Sequence, residues 1–485
     1  MNFSIEYIIS SSTATLPLVF LLVVGLLLMM MSVFKAESLM SFIAAMGFIG
    51  SSGLALFSVA EKNPFYGMIE TGNIAPIVHI FLCLSGLFTL FFVQDYLHRQ
   101  EKPIHDVYPL LIFAVVGMIM MANAGDLIMT FIGLETFSIC LYVFAALFKK
   151  EEASNEAGLK YFLLGAFASA FLLFGISIIY GITGATNFDE IANNSAKFGE
   201  NLPLFYTGVG LLLVGFLFKV SAFPFHNWTP DVYQGTPTPL AGFMATGSKM
   251  AVFISLGAVL IKMNFTAHQK IVDVLAISAV LTMIYGNIVA ARQTNLKRML
   301  AYSSIAHSGY VMLGLCVGKT GFMSVIFYMF IYTLMNIGAF GLVGIAEKQL
   351  DDTEVSNWKG LGMKAPYFAA AMSLFLFSLA GIPPLAGFMS KYQIFISAIR
   401  ADLVWLAVIG ILTSVIAAYY YINVIVAMYF GKDEKANVSP VFGVVPAFGV
   451  ALLALLIVVL GVYPSLILTP LEHYFSGGVT AVAFK

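Results

Sequence analysis

The chain is a succession of long apolar runs. From residue 13 to residue 470, almost every stretch of membrane-spanning length is followed by a short charged or turn-rich separator and then by another such stretch. A run of 18 or more apolar residues can cross a bilayer as a helix, and lipid admits only helices or closed barrels, because each backbone N–H and C=O must be satisfied within the structure. The strand-length alternation of a barrel is missing here, which leaves helices. Composition agrees: 60% of the 485 residues are hydrophobic and 10% are charged, against about 25% charged in a soluble globular chain. Mean hydropathy is +0.93. The expectation is an all-α polytopic membrane protein, a single membrane domain over residues 1–485.

The separators define fourteen spans, at 13–34, 38–60, 74–96, 107–122, 126–148, 156–183, 203–234, 237–261, 270–291, 297–318, 321–346, 366–400, 404–430 and 441–470. An even number puts both termini on one side. Counting residues at span edges with the adjoining loop, as for "NLKR" with Lys297 and Arg298, the loops after the odd-numbered spans hold thirteen Lys/Arg, the other loops and tails seven, and four lie deeper within spans. Basic loops stay cytoplasmic, so both termini are expected outside. The N-terminal segment "MNFSIEYIISSSTATLP" has no basic region and carries Glu6, which argues against a cleaved signal peptide. The net charge of −1 suggests no nucleic-acid partner. Cys83, Cys140 and Cys316 lie far apart in apolar runs and read as packing residues, without the spacing of a disulfide, zinc or iron–sulfur framework.

Spans 203–234 and 366–400 exceed the roughly 20 residues that a crossing helix needs. Each contains a proline break, at Pro224 in one and at Pro383 and Pro384 in the other. A broken helix frees backbone groups, which survive at membrane depth only inside protein or along a hydrated cavity.

Ionisable residues stand far from the ends of five spans: Glu135, Lys219, Lys249, His307 and Lys391; Lys160 lies about one turn into its own. A lysine or acid at a helix centre costs about 2.5–3.5 kcal/mol, so the four charges total on the order of 10–14 kcal/mol before any pairing. Pairing, water or neutralisation must offset this. Glu135 is the natural partner for a lysine, and a histidine titrates near neutral pH when unperturbed, which suits His307 to a relay. His226 and Asp231, at the first break, are candidates for an entrance or for turn and capping roles.

Glu135 to Lys219 is 84 residues, and His307 to Lys391 is also 84, the two pairs being offset by 172. Spans 4–8 (residues 105–262) and 9–13 (residues 270–430) then read as two five-helix repeats, flanked by helices 1–3 (residues 1–104) and by helix 14 with the tail (residues 436–485). Five is odd, so the copies must be inverted, the plan of transporters with sites at the midplane. Polar residues fall on helical faces beside these groups: Ser303, Ser304 and Ser308 with His307, Ser138 with Glu135, Thr246 with Lys249, Tyr332 with Asn336. Such stripes can hold water between titratable groups or simply join helices.

Enzyme chemistry within the chain finds no support. "GLCVGKT" lacks the first glycine of a phosphate loop, since Leu313 stands in its place, and "GVGLLLVG" lacks dinucleotide spacing. Proton-titratable groups without an energy source require a downhill ion or a redox partner.

"PFHNWTPDVYQGTPTP", "ATGSKMAVF", "NLKRMLAYSSIAHSGYVMLG" and "SLAGIPPLAGFMSKY" closely resemble subunit N of the proton-pumping NADH-quinone oxidoreductases (respiratory complex I), an antiporter-like membrane subunit family, over roughly residues 105–430. The resemblance implies fourteen helices with helices 7 and 12 broken, and proton transfer driven by quinone reduction elsewhere in the complex. Glu135 and Lys219 resemble the family's helix-5 and helix-7 pair, Lys249 its helix-8 lysine, His307 the helix-10 link, Lys391 the helix-12 lysine near the exit, and Lys160 an additional helix-6 lysine. It further implies no cofactor in this chain, with NADH, FMN, iron–sulfur clusters and quinone in partner subunits. The expected neighbours are the antiporter-like M subunit, the small K subunit and the lipid of a bacterial inner membrane. A lysine at 391 argues against the M subunit, which has glutamate there. Multisubunit sodium/proton antiporters share the lysine pattern, and a passive membrane scaffold is the third alternative.

Overall fold

A computed structural model describes residues 11–33, 37–57, 64–72, 74–102, 104–347, 349–350, 353–431 and 442–475. The N-terminal stretch with Glu6, the ends of the first two spans, several basic loop residues and residues 476–485 lie outside them. Among the described residues the fold is helical, with no strand beyond isolated bridges. Helices α1 (Leu16–Ser32), α2 (Glu37–Phe57), α3 (Ala75–Arg99), α4 (Val107–Ala122), α5 (Leu127–Ala145) and α6 (Glu152–Thr183) follow the first six expected spans. The helix α7 comes in two halves, Leu202–Lys219 and Thr229–Gly235, and is followed by α8 (Thr238–Lys262), α9 (Gln269–Ala290), α10 (Leu296–Cys316) and α11 (Lys319–Glu347). The helix α12 is also split, into Pro366–Ala380 and Ala386–Arg400, before α13 (Val404–Phe430) and α14 (Val444–Val462). Breaks in helices 7 and 12 are thus present where the prolines predict them.

One boundary differs. The expected span 441–470 is two helices, because Pro464 cannot continue the ladder after Val462 and a separate helix, α15 (Ser465–Phe475), begins beyond it. The two longest loops fold into short helical turns, Phe188–Asn193 and Ala196–Glu200 in one, Val355–Trp358 and Leu361–Lys364 in the other.

The centre of the bundle is formed by α8 and α11, whose residues are almost all buried. Without a hydrophobic drive between helices in lipid, close approach relies on small residues. Gly117 of α4 and Gly133 of α5 face each other so tightly that a Cβ would meet the partner backbone at 2.6 and 2.5 Å; Gly286 of α9 and Gly309 of α10 do the same at 2.6 and 2.8 Å.

The two halves share further local constructions. At the start of α5, Asp126 caps the Ile128 N–H and its other oxygen accepts from Thr186 Oγ1 at 2.7 Å, while Leu127 N–H donates to the Thr186 carbonyl and Phe188 N–H to the Gly125 carbonyl. At the start of α10, Asn295 caps the Arg298 N–H and donates to Thr353 Oγ1 at 2.7 Å, while Leu296 N–H donates to the Thr353 carbonyl and Val355 N–H to the Thr294 carbonyl. Each is a helix cap pinned to the loop that follows the next helix.

The breaks match residue by residue. Ser221 (φ 61°) and Gly381 (φ 85°) occupy the left-handed region, and the cis bonds precede Pro224 and Pro384. Ala222 N–H returns to the Leu217 carbonyl and Ile382 N–H to the Phe377 carbonyl, the six-to-one bond of a Schellman ending. Phe225 N–H donates to Ala222 and Leu385 N–H to Ile382. All these pairs are 160 residues apart, whereas Lys219 and Lys391 are 172 apart. Relative to the break the lysines are therefore displaced by 12 residues, Lys219 before it and Lys391 after it.

Candidate functional site

The last residue of the first half of α7 is Lys219. Its side chain is buried, with Nζ donating to the Tyr142 hydroxyl at 3.1 Å. Aromatic rings surround the ammonium, the centroids of Tyr142 and Tyr161 at 4.9 and 5.1 Å and those of Phe137 and Phe218 at 5.9 Å, an arrangement that favours a cation over the ring faces. The expected direct pairing with Glu135 is absent. Glu135 sits on the face of α5 that carries the exposed Ile132 and Ile139, and its Oε1 is buried without a hydrogen-bond partner. Tyr142, seven residues further along the same helix, lies within electrostatic reach of Glu135 and holds Lys219. Two helical turns separate positions seven apart, so tyrosine and carboxylate share one face of α5.

On α8, Lys249 is buried and fully ligated: Nζ donates to Ser304 Oγ at 2.6 Å, the Ser304 carbonyl at 3.1 Å and Ser308 Oγ at 3.1 Å. Two members of the polar stripe predicted on α10 thus hold an ammonium, that of Lys249, rather than serving His307. The histidine instead meets tyrosine hydroxyls, Nδ1 to Tyr328 at 2.7 Å and Nε2 to Tyr421 at 3.3 Å. Ser303, Ser138 and Thr246 return to carbonyls of their own helices, as polar residues in apolar helices commonly do.

The second half of α12 carries Lys391, whose Nζ reaches back across the break to the Ala380 carbonyl at 3.0 Å and to Ser414 Oγ of α13 at 2.8 Å. The Tyr310 ring centroid lies 5.4 Å away, and the Tyr310 hydroxyl accepts from Asn287, which accepts from Tyr420. Both displaced lysines therefore sit at the C-terminal end of a first half-helix, where the aligned peptide dipoles and unpaired carbonyls favour a cation.

The outlying candidates separate. Lys160 is 40% exposed and pairs with Glu156 at 2.5 Å and Asp231 at 2.9 Å, and the other Asp231 oxygen accepts from Arg298 at 3.0 Å. This is an ion-pair cluster at the bundle end where α6 and α10 begin. His226 does not join it; buried between Phe223 and Tyr285 with ring centroids at 5.5 and 4.3 Å, it leaves both ring nitrogens without a partner. Among the described residues no three His, Cys, Asp or Glu gather as metal ligands.

The sequence reading missed the tyrosine and amide ligands, Tyr142, Tyr310, Tyr328, Tyr421 and Asn287, and Ser414. A buried phenol needs a hydrogen-bond partner, so tyrosines lying deep within the apolar spans were the available signal.

Residues 124–417 match the family described as NADH:quinone oxidoreductase/Mrp antiporter, TM. NADH-quinone oxidoreductase subunit N 1 of Chloroherpeton thalassium is 42% identical over 424 residues, 86% of this chain and 88% of that protein. Among solved structures, a chain of respiratory complex I from Thermus thermophilus with bound aureothin superposes with a TM-score of 0.78 at 32% identity, covering 93% of this chain and 98% of that one. A chain of the Mrp complex from Dietzia sp. DQ12-45-1b shares the fold, with a TM-score of 0.82 at 17% identity over 96% of this chain and 97% of that one. With these matches and the broken, lysine-bearing helices, this chain belongs to the NADH:quinone oxidoreductase/Mrp antiporter membrane family, on its NADH-quinone oxidoreductase subunit N branch.

Proposed function

We propose that this chain is the antiporter-like, proton-translocating subunit of an NADH-quinone oxidoreductase, moving protons through Glu135, Lys219, Lys249, His307 and Lys391 while quinone reduction in partner subunits supplies the drive. The observation that carries the reading is the set of buried amines and an imidazole, on α7, α8, α10 and α12, each within hydrogen-bond reach of hydroxyls from a neighbouring helix. Hydroxyls both donate and accept, so they can pass a proton between such groups where apolar side chains cannot. An opposite charge near an ammonium favours the protonated form and burial without it the neutral one, so a movement that changes the approach of Glu135 alters the proton affinity of Lys219. Tyr142 stands where that change is transmitted.

The matching helix caps, glycine contacts and breaks support two inverted repeats, residues 105–262 and 270–430. The Lys160–Asp231–Arg298 cluster suits an inner mouth, and Lys391 the route outward. NADH, FMN, iron–sulfur clusters and quinone belong to partner subunits, with M and K subunits as neighbours in a bacterial inner membrane and both termini on its outer side. Lys219→Ala or Glu135→Ala in the assembled complex is expected to abolish pumping while quinone reductase still assembles; an unchanged proton-to-electron ratio refutes the role. A sodium/proton antiporter, the alternative that the shared Mrp fold raises, would expel sodium from vesicles against an imposed pH gradient without the redox enzyme.

A further inference from the structure

The relay above leaves a lysine–carboxylate pair at the start of α10 unused. Lys297, at the first turn of α10, is 3% exposed; its Nζ donates to the Thr236 carbonyl at 2.7 Å and lies 3.6 Å from Glu347 Oε1. The other Glu347 oxygen accepts from Thr238 Oγ1 at 2.6 Å. Glu347 ends α11 and its side chain is 23% exposed, so the pair has one member within reach of solvent and the other inside the bundle.

The neighbouring Arg298 turns to a different acid, Asp231. Consecutive residues on a helix point about 100° apart, so the start of α10 presents two cations to two separate carboxylates. The Lys160–Asp231–Arg298 cluster lies on the surface. The Lys297–Glu347 pair faces the core.

Its position on α10 connects it to Lys249. Ser304 follows Lys297 by seven residues and Ser308 by eleven, which places all three on one face of the helix with about 10 Å between the first two. Ser304 and Ser308 are the hydroxyls that hold Lys249. Tyr233, on the second half of α7, stands three residues before Thr236, whose carbonyl holds Lys297. It is fully buried, it faces Ser304, and among the described residues its hydroxyl makes no hydrogen bond of normal geometry. A buried phenol without a partner is an exception that points to an unfilled role in a polar network.

From this geometry we infer that Glu347 and Lys297 form a second inner proton inlet, delivering to Lys249 through Tyr233 and Ser304 independently of the Asp231 mouth. The inference rests on the proton relay proposed above. A proton taken up at Glu347 passes to Lys297 when that lysine has given its own inward, the positive charge moving from Lys297 to Lys249 while Tyr233 donates its proton forward and regains one from behind. Each group ends the cycle in its starting state.

The test uses the assembled oxidoreductase in inverted membrane vesicles, recording proton uptake and quinone-dependent NADH oxidation together. Glu347→Gln and Lys297→Met are expected to reduce protons taken up per NADH to the level reached by Lys249→Ala. Lys297→Arg is expected to restore most of the loss, and the double variant Glu347→Gln/Lys297→Met to fall no lower than either single variant. Should a variant fail to assemble, Thr238→Val and Tyr233→Phe interrupt the same route with less disturbance and are expected to lower the proton yield. If Lys249→Ala lowers the yield and all the inlet variants leave it intact, the inlet is overturned and the relay stands. If Lys249→Ala leaves the yield intact as well, the relay itself is overturned.

Discussion

Lys219 and Lys391 occupy equivalent places in space but opposite places in sequence. One ends its half-helix; the other begins five residues into the next half and folds back onto the end of the first. Their ligation differs accordingly. Lys391 has two oxygen acceptors, a carbonyl of its own broken helix and a serine of α13, whereas Lys219 has one hydroxyl and a surround of aromatic faces. Rings stabilise a cation by about 0.5–2 kcal/mol and offer no site for a displaced proton, while hydrogen bonds to a charged group contribute about 1.5–3 kcal/mol. The first break therefore holds its charge through a single removable contact, and the second through two. That asymmetry suits a proton loaded early and kept late.

The largest effect that sharpens this comparison is on the single contact. Tyr142→Phe keeps the ring and removes the one hydrogen-bond acceptor that Lys219 has among the described residues, and is expected to slow pumping about tenfold, the equivalent of about 1.4 kcal/mol. Ser414→Ala leaves Lys391 its carbonyl and is expected to cost about threefold or less. Equal losses in the two variants, read as initial proton-uptake rates, would break the asymmetry.

Next in size are the left-handed residues at the two breaks. Gly381→Ala forces a Cβ into the left-handed region, about 1–2 kcal/mol, and brings it to 3.0 Å from Lys391 Cδ. Ser221→Gly relieves the same backbone penalty at the other break but loses the hydrogen bond that Ser221 accepts from Thr229 at 2.7 Å, so the two changes nearly cancel. Thermal inactivation of the detergent-solubilised complex should show a lowered midpoint for the first and almost none for the second.

The smallest effects concern the helix caps. Thr186→Val and Thr353→Val each remove one side-chain bond to a capping residue, and each is expected to cost about 1 kcal/mol. Similar shifts in inactivation midpoint would support equivalent corners of two repeats; a shift in one alone would not.

Much of the fold was legible because lipid leaves few options. Apolar length located thirteen of the fourteen spans closely, and the prolines marked both breaks. The last span was drawn too long because Pro464 stands in a run whose hydropathy hardly changes around it. The site was legible in its charges, since an ionisable residue within an apolar run is conspicuous. Its ligands were not, because a tyrosine in a membrane helix reads equally as packing, and helix-to-helix contacts such as Lys249 with Ser304 have no local signature. Equal spacing also misled in one respect. The 84-residue interval aligned the lysines with each other, but the backbone at the breaks aligns at 160, which puts Lys391 opposite Asp231 rather than Lys219. Lys297 was read as a loop cation, because the positive-inside count cannot tell an ammonium in water from one turned into the bundle.

The reach of Lys391 across its own break has a mechanical side. With its proton, the side chain is a clasp between two rods, fastened to the terminal carbonyl of one and rooted in the other; without it, the charge-assisted part of that fastening vanishes. The stiffness of the joint in α12 is thus expected to rise and fall with the protonation of Lys391, so that in the proposed relay this side chain would also signal its occupancy to whatever the two rods push against.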